Sequence, residues 1–461
     1  MHLREHGGAA ALATATPLKL REQLILSVMW FGLNFQSAAL LPIILPTQIL
    51  LFVTPGEVGT VQQARFVAGI AAVGALIALV VPPLIGMLSD RTRGPLGRRR
   101  PYILVGTLLL LLGALELASA REAGAFIVGY VVISLGSGIG IAAYQSLVPD
   151  RVPAEQRGTA SGFIGLMTIL GNVGSLAVAG LLLGAVVKGL SSQAIITRGT
   201  SLYYGLTALV LLGSVLATLF WIRETPLEQL PHVKAARAAE AEETRPSLRA
   251  RLTHDWLDPW RHHNFRWVFL TRAFVMLGLT LFLQFIEYYF EQVEHVTNFV
   301  AATAFIAVLA LVGAVFSALI VGILSDRVGR VPLVCAATFL MGLAALPFFV
   351  APALVPMWAL GIVFGLGYGA YSSVDWALAI DALPSLEAAG KDMGLWSIAS
   401  NLPAIAAPIL GGLVISLASE AGAASLGYRL DFALADVFFI LGAVCVLFVR
   451  ETRPKLVEAP V

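Results

Sequence analysis

The chain has 461 residues, 58% hydrophobic and 13% charged, with a formal net charge of +2. Soluble proteins carry roughly 45–50% apolar and about 25% charged residues, so a set of soluble domains with polar surfaces is excluded. The near-neutral total says little; where the charges fall says more.

Residues 1–20 are polar and alanine-rich, with no apolar run ahead of a cleavage site. A cleaved signal peptide is not expected, and the first span inserts as its own uncleaved signal. Apolar runs long enough to cross a bilayer then recur over 24–45, 65–88, 102–119, 125–148, 159–183 and 201–222. Six more follow over 266–290, 300–324, 331–350, 357–380, 393–417 and 431–449. All are predicted helices, because lipid offers no partner to an unpaired backbone group. The first run continues to about Val53 through Pro42 and Pro46. Those prolines predict a break near the outer surface and a short interfacial piece beyond it. Cys335 and Cys445 both lie in apolar spans and read as buried packing thiols.

The fold class is an all-α polytopic membrane protein of two six-helix pseudo-repeats. Its expected parts are a tail at 1–23, a bundle at 24–222, a linker at 223–264, a second bundle at 265–449 and a tail at 450–461. The linker mixes both charge signs and carries an Ala/Glu/Arg run over 235–245 that reads as a surface helix. With the N-terminus in the cytoplasm, every Lys and Arg lies on the cytoplasmic side except Arg65, Arg121, Lys188, Arg198 and Arg429, which fall outside, and Arg272, within the seventh span. The positive-inside rule therefore places both termini in the cytoplasm, in a multi-pass protein of the cell membrane.

One short signature occurs twice. Gly86-Met-Leu-Ser-Asp90-Arg91 is followed by Gly97-Arg98-Arg99-Arg100-Pro101, and Gly322-Ile-Leu-Ser-Asp326-Arg327 by Val328-Gly329-Arg330. Each sits in a charged turn after the second span of its half. Asp150 and Asp381 close the fourth and tenth spans, Arg223-Glu224-Thr225 and Arg450-Glu451-Thr452 the sixth and twelfth, and Gly136-Ser-Gly138 matches Gly367-Tyr-Gly369. These pairs keep chain order at a nearly constant offset, so the halves are repeats. A duplicated helical membrane unit is most economically a transporter.

The doubled Gly-x-x-x-Asp-Arg…Gly-Arg turn resembles the loop motif of the major facilitator superfamily, and the resemblance covers essentially the whole chain. Residues 92–96 lengthen the first copy, which ends Gly-Arg-Arg-Arg-Pro-Tyr. That longer turn is similar to the glycoside–pentoside–hexuronide and sucrose-transporter branch. The resemblance implies a latch on the cytoplasmic side, made of Gly86, Asp90, Arg91, Gly97, Arg98, Asp150, Gly322, Asp326, Arg327, Arg330 and Asp381. The glycines let helices approach closely. Asp90 would dock on the eleventh helix and Asp326 on the fifth, where helix dipoles favour a carboxylate. The arginines would pair with Asp150 and Asp381. A topology signal is the plainer reading, and it accounts only for the arginines.

In such a fold the first, fourth, seventh and tenth helices line the cavity. Here the first carries Trp30, Asn34, Gln36 and Ser37, and the fourth Ser137, Tyr144 and Gln145. The seventh carries Thr280, Gln284, Glu287 and Tyr288, and the tenth Tyr368, Tyr371, Ser372, Asp375 and Trp376. Rings with amides and hydroxyls suit a neutral polyhydroxylated solute; packing between helices is the alternative for each residue taken singly. Asp375, deep in a span, costs about 2.5–3.5 kcal/mol to insert. It reads either as a proton carrier or as a gate residue paired with arginine. Arg272 reads as a residue that snorkels or pairs with a gate carboxylate. Glu287 is a second coupling candidate, though it and Glu116 also read as outer residues that reach water. Asp431 and Asp436 are expected to flank the start of the twelfth helix as structural residues, and no histidine falls inside a span.

Melibiose-type members of the branch hold a cation with acidic residues in the first, second and fourth helices. Here those spans lack such residues, so any coupling falls to Asp375 or Glu287. The leading expectation is a secondary transporter of a small polar solute, a sugar or glycoside, with protons or another cation as the coupling partner. An exporter of amphipathic compounds and a uniporter are the alternatives. No cofactor, metal or nucleic acid is expected, the chain is not expected to be an enzyme, and it is expected to work as a monomer in lipid.

Overall fold

The computed structural model describes residues 17–52, 57–187, 193–221, 256–296, 299–350, 357–385 and 388–450. Every regular element among them is helical. Twelve long helices run in chain order. In the first half they are α1 (Leu20–Ala38), α2 (Glu57–Arg91), α3 (Arg100–Ser119), α4 (Ala123–Arg151), α5 (Arg157–Val187) and α6 (Gln193–Trp221). In the second they are α7 (His263–Gln292), α8 (Phe299–Val328), α9 (Val331–Val350), α10 (Met357–Asp381), α11 (Ala389–Glu420) and α12 (Ala424–Leu447). The run expected as a surface helix over 235–245 lies outside the described residues.

Among the described residues, eleven of these helices are long and apolar enough to span a bilayer. The other, α10, carries Tyr368, Tyr371, Ser372, Ser373 and Asp375 among its apolar residues. Large apolar side chains stand on the outer faces, with Leu181 85% and Phe220 78% exposed. Such faces need an apolar surrounding, so the chain is a multi-pass membrane protein.

The repeat is visible in the packing. In the first half α1 packs on α5 and α6, α2 on α4, and α3 on α4 and α6. In the second, α7 packs on α11 and α12, α8 on α10, and α9 on α10 and α12. The halves meet through α2 on α11 and α5 on α8, again equivalent pairs.

Three expectations change. The prolines do not break α1 into an interfacial piece. A π-turn over Leu40–Ile44 absorbs Pro42, and the helix resumes over Leu45–Ile49 with Pro46 in its first turn, where no N–H is needed. Gln48, in that continuation, is buried: its amide donates to the Leu117 carbonyl at 2.6 Å and it accepts from the Tyr204 hydroxyl at 2.8 Å. Most helices also run past their apolar runs, because a helix continues into water while hydropathy does not. Thus α7 begins with His263, a histidine at the tip of a helix, and α12 begins at Ala424, which puts Asp431 inside it.

Candidate functional site

At the end of the bundle that carries the two signature turns, the halves are pinned together twice. Asp90, at the end of α2, accepts from the backbone N–H of Gly390 at 3.0 Å and of Lys391 at 2.8 Å, in the first turn of α11. Asp326, at the end of α8, accepts from the N–H of Gly158 at 2.7 Å and of Thr159 at 2.9 Å, in the first turn of α5, and from the Thr159 hydroxyl at 2.8 Å. Each carboxylate meets the positive end of a helix dipole from the other half. The glycines allow the approach: a Cβ on Gly86 would collide with the Gly390 carbonyl, and one on Gly322 would lie 2.6 Å from the Gly162 Cα. Gly97 and Gly329 hold φ of 87° and 104°, the left-handed conformation that turns the chain toward the arginines.

The arginines divide the work unequally. Arg98 forks onto Asp150, and Arg99 reaches both Asp150 at 3.0 Å and Asp90 at 2.7 Å. Arg99 is fully buried; burial works against its charge, yet Asp150 and Asp90 hold its pKa above the ordinary range. On the other side Asp381 receives Arg330 and, from the opposite half, Arg157 at 2.7 Å. Arg330 also donates to the Ala377 carbonyl at 3.0 Å. Arg91 and Arg327, next to the aspartates in sequence, stand exposed.

Deeper in, aromatic rings close the centre. Trp30 of α1 stacks on Tyr144 of α4 with centroids 5.2 Å apart, and meets Trp376 of α10 edge-on at 5.0 Å. Trp376 in turn contacts Trp396 of α11 at 5.3 Å. The Arg272 guanidinium lies 3.7 Å over the Trp396 ring, pairs with Asp375 and donates to the Ser400 hydroxyl at 2.6 Å. Trp30 is tethered in the same way, donating to Thr168 of α5 at 2.7 Å. Thr168 and Ser400 are repeat mates, as are Tyr144 and Asp375. Equivalent positions therefore hold an aromatic stack in one half and an ion pair in the other. A buried pair of this kind needs its extra hydrogen bond and ring contact to offset the lost hydration.

Of the expected cavity residues, Tyr144, Asp375 and Trp376 meet in this cluster. Tyr371 is buried on the same helix, its hydroxyl without a partner among the described residues, and Tyr368 is half-buried. Gln145 accepts from Ser397 of α11 at 2.6 Å, a bond between the halves. Asn34 donates to its own helix at the Trp30 carbonyl, 2.8 Å away. Gln36 is buried on a different face of α1 from Trp30. Gln284, Glu287 and Tyr288 are not in the cluster. They stand exposed about 18 Å or more along α7 beyond Arg272, at 1.5 Å per residue, and Tyr288 stacks on Tyr428 of α12. Of its two expected roles, Arg272 does not snorkel; it pairs with a carboxylate, that of Asp375. The contributions of Trp396, Ser400, Thr168 and Ser397 were not foreseen. Only the repeat spacing of Thr168 and Ser400 carried a signal of them.

The Major Facilitator Superfamily model matches residues 24–385 and 302–461, which together take in nearly the whole sequence. The chain belongs to the major facilitator superfamily. Among curated relatives, a sucrose transport protein of Arabidopsis thaliana is 27% identical over 118 residues, 22% of this chain and 23% of that protein. A general alpha-glucoside permease of Schizosaccharomyces pombe is 27% identical over 116 residues, 22% of this chain and 21% of the permease. The matched stretch thus spans under a quarter of either relative. The solved structure of the superfamily transporter FucP in an outward conformation superposes with a TM-score of 0.68 at 16% identity, covering 94% of this chain and 99% of that one. The proton:xylose symporter XylE gives 0.70 at 14% identity, covering 94% and 96%. At these identities the superfamily fold is what is shared.

Proposed function

We propose that this protein is a secondary active transporter that moves a small polar solute, a sugar or glycoside, by alternating access of one central site. The observation that carries the reading is the pairing of two things. One is a latch made wholly of bonds between halves, Asp90 to α11 and Asp326 to α5. The other is a centre of stacked rings and one ion pair. The latch can exist only while its end is shut, so it marks one of two states. The bundles at 24–222 and 265–449 are the halves that rock. The latch end, rich in arginine, faces the cytoplasm of the cell membrane with both termini, and the protein works as a monomer in lipid.

Trp30, Tyr144, Tyr371 and Trp376 cover the apolar face of a sugar ring, while Gln145, Tyr368 and Arg272 bond its hydroxyls. Asn34, Gln36, Gln284 and Tyr288 belong to the wider path. Asp375 is the coupling group: a proton on it releases Arg272 from the pair and frees the guanidinium for the solute. The similarity to a sucrose transport protein and an alpha-glucoside permease favours a glycoside.

Uptake into proteoliposomes across a panel of sugars, with and without a proton gradient, tests the reading. Gradient-driven accumulation of a sugar is expected. Uptake of no sugar alongside efflux of a lipophilic dye would replace it with an exporter of amphipathic compounds. Asp375→Asn is expected to abolish accumulation and spare exchange; unchanged accumulation would leave Asp375 a gate residue held by Arg272.

A further inference from the structure

One carboxyl takes no part in the latch or the central cluster. Asp431, eight residues into α12, has no exposed surface, and neither of its oxygens has a hydrogen-bond partner among the described residues. Its surroundings are apolar. Leu281 and Phe285 of α7 border Gly411 of α11, and a Cβ on Gly411 would collide with Asp431 Oδ1, so the glycine leaves the room that the carboxyl fills. Phe432 beside it is buried among Phe282, Tyr289 and Phe348.

Among the described residues, nothing charged on the neighbouring helices answers it. On α7, Arg272 is held by Asp375 and Tyr289 bonds Glu294, while Glu287, Tyr288 and the half-buried Glu291 lie toward the surface. On α11, Lys391 pairs with Asp392 at 3.2 Å, far down the helix, and Glu420 is exposed. Within α9 there is no charged residue, only Cys335. On α12 itself Arg429 donates to the Phe349 carbonyl at 2.9 Å, Asp436 stands against Gly342, and Tyr428 stacks on Tyr288.

An isolated carboxylate in such a site is costly to keep ionised. We propose that Asp431 is a second proton-binding site, read by the latch through α11. That helix touches all three places: its first turn binds Asp90, its middle holds Trp396 and Ser400, and its Gly411 faces Asp431. Loss of the proton would leave a bare charge between α7, α11 and α12. The interface would then open to hydrate it, drawing α11 away from Asp90. Protonation therefore favours the shut latch and deprotonation the open one. The inference rests on the latch reading but not on the identity of the solute.

The test uses the full-length protein in nanodiscs without substrate. Spin labels at Leu96 and Val328, both exposed at the latch end, report its distance distribution across a pH series. The wild type is expected to shift toward the open distance as pH rises, and Asp431→Asn, permanently neutral, to stay shut throughout. Asp436→Asn, at the half-exposed neighbour, is expected to keep the wild-type shift. Infrared difference spectra should show a protonated carboxyl band that Asp431→Asn removes; Asp431→Ser serves where the amide does not fold. A wild-type pH response retained by Asp431→Asn, or a spectrum without that band, overturns the proposal. A shift that tracks Asp431 while no sugar is transported would leave the proposal standing and sink only the sugar reading.

Discussion

Asp326→Asn is the sharpest probe of the latch. The carboxylate accepts three hydrogen bonds, from the Thr159 and Gly158 N–H groups and the Thr159 hydroxyl, at 2.7–2.9 Å. The amide keeps one acceptor oxygen and turns its NH2 toward Thr159, so two of the three bonds are lost. Hydrogen bonds to a charged group contribute about 1.5–3 kcal/mol each. The lower figure gives about 3 kcal/mol against the shut state, roughly a hundredfold in the shut-to-open ratio. If the open state is about 1% populated, as minor states commonly are, the variant becomes roughly half open. Spin labels at Glu155 and Val328, both exposed beside the latch, read the populations directly by double electron–electron resonance. A distribution identical to wild type in both Asp326→Asn and Asp90→Asn would refute the latch.

Gly86→Ala should open the same latch, because its methyl meets the Gly390 carbonyl, whereas Gly180→Ala meets open space and should leave the distances unchanged. Arg272→Met leaves Asp375 buried without its partner and should lower stability by about 3–5 kcal/mol. Adding Asp375→Asn should recover most of that in thermal melts, and equal melting of single and double variants would mean the pair is not coupled. Trp30→Ala removes two ring contacts of about 0.5–1.5 kcal/mol each. It should weaken apparent sugar affinity roughly tenfold in uptake assays while leaving the latch distances intact; unchanged affinity would take Trp30 out of the site.

The contacts of Asp90 with α11 and of Asp326 with α5 were legible because repeats constrain each other. Once Asp90 and Asp326 are equivalent, a partner for one names a partner for the other. Which arginine of Arg98-Arg99-Arg100 would be buried was not legible, since three adjacent cations on a turn look alike until the fold points one inward. The central cluster was half legible. Tyr144, Asp375 and Trp376 stood out as polar or aromatic groups in spans. The equivalence of the Trp30–Tyr144 stack with the Arg272–Asp375 pair did not, because matched positions carry unlike chemistry. Asp431 was read as a helix end because the apolar run starts there, while the helix itself begins about two turns earlier, at Ala424. The α1 prolines misled for a related reason: a π-turn supplies a slack hydrogen-bond register that sequence does not display.

No side chain of its own caps the N-terminus of α11. Its first amides are satisfied by Asp90, as those of α5 are by Asp326. Opening the latch therefore strips two helices of their caps together, and their first turns fray into water. Four backbone amides, at Gly158, Thr159, Gly390 and Lys391, then become an intrinsic clock for the conformational cycle. Their hydrogen–deuterium exchange would rise and fall with the open population in unlabelled, unmodified protein.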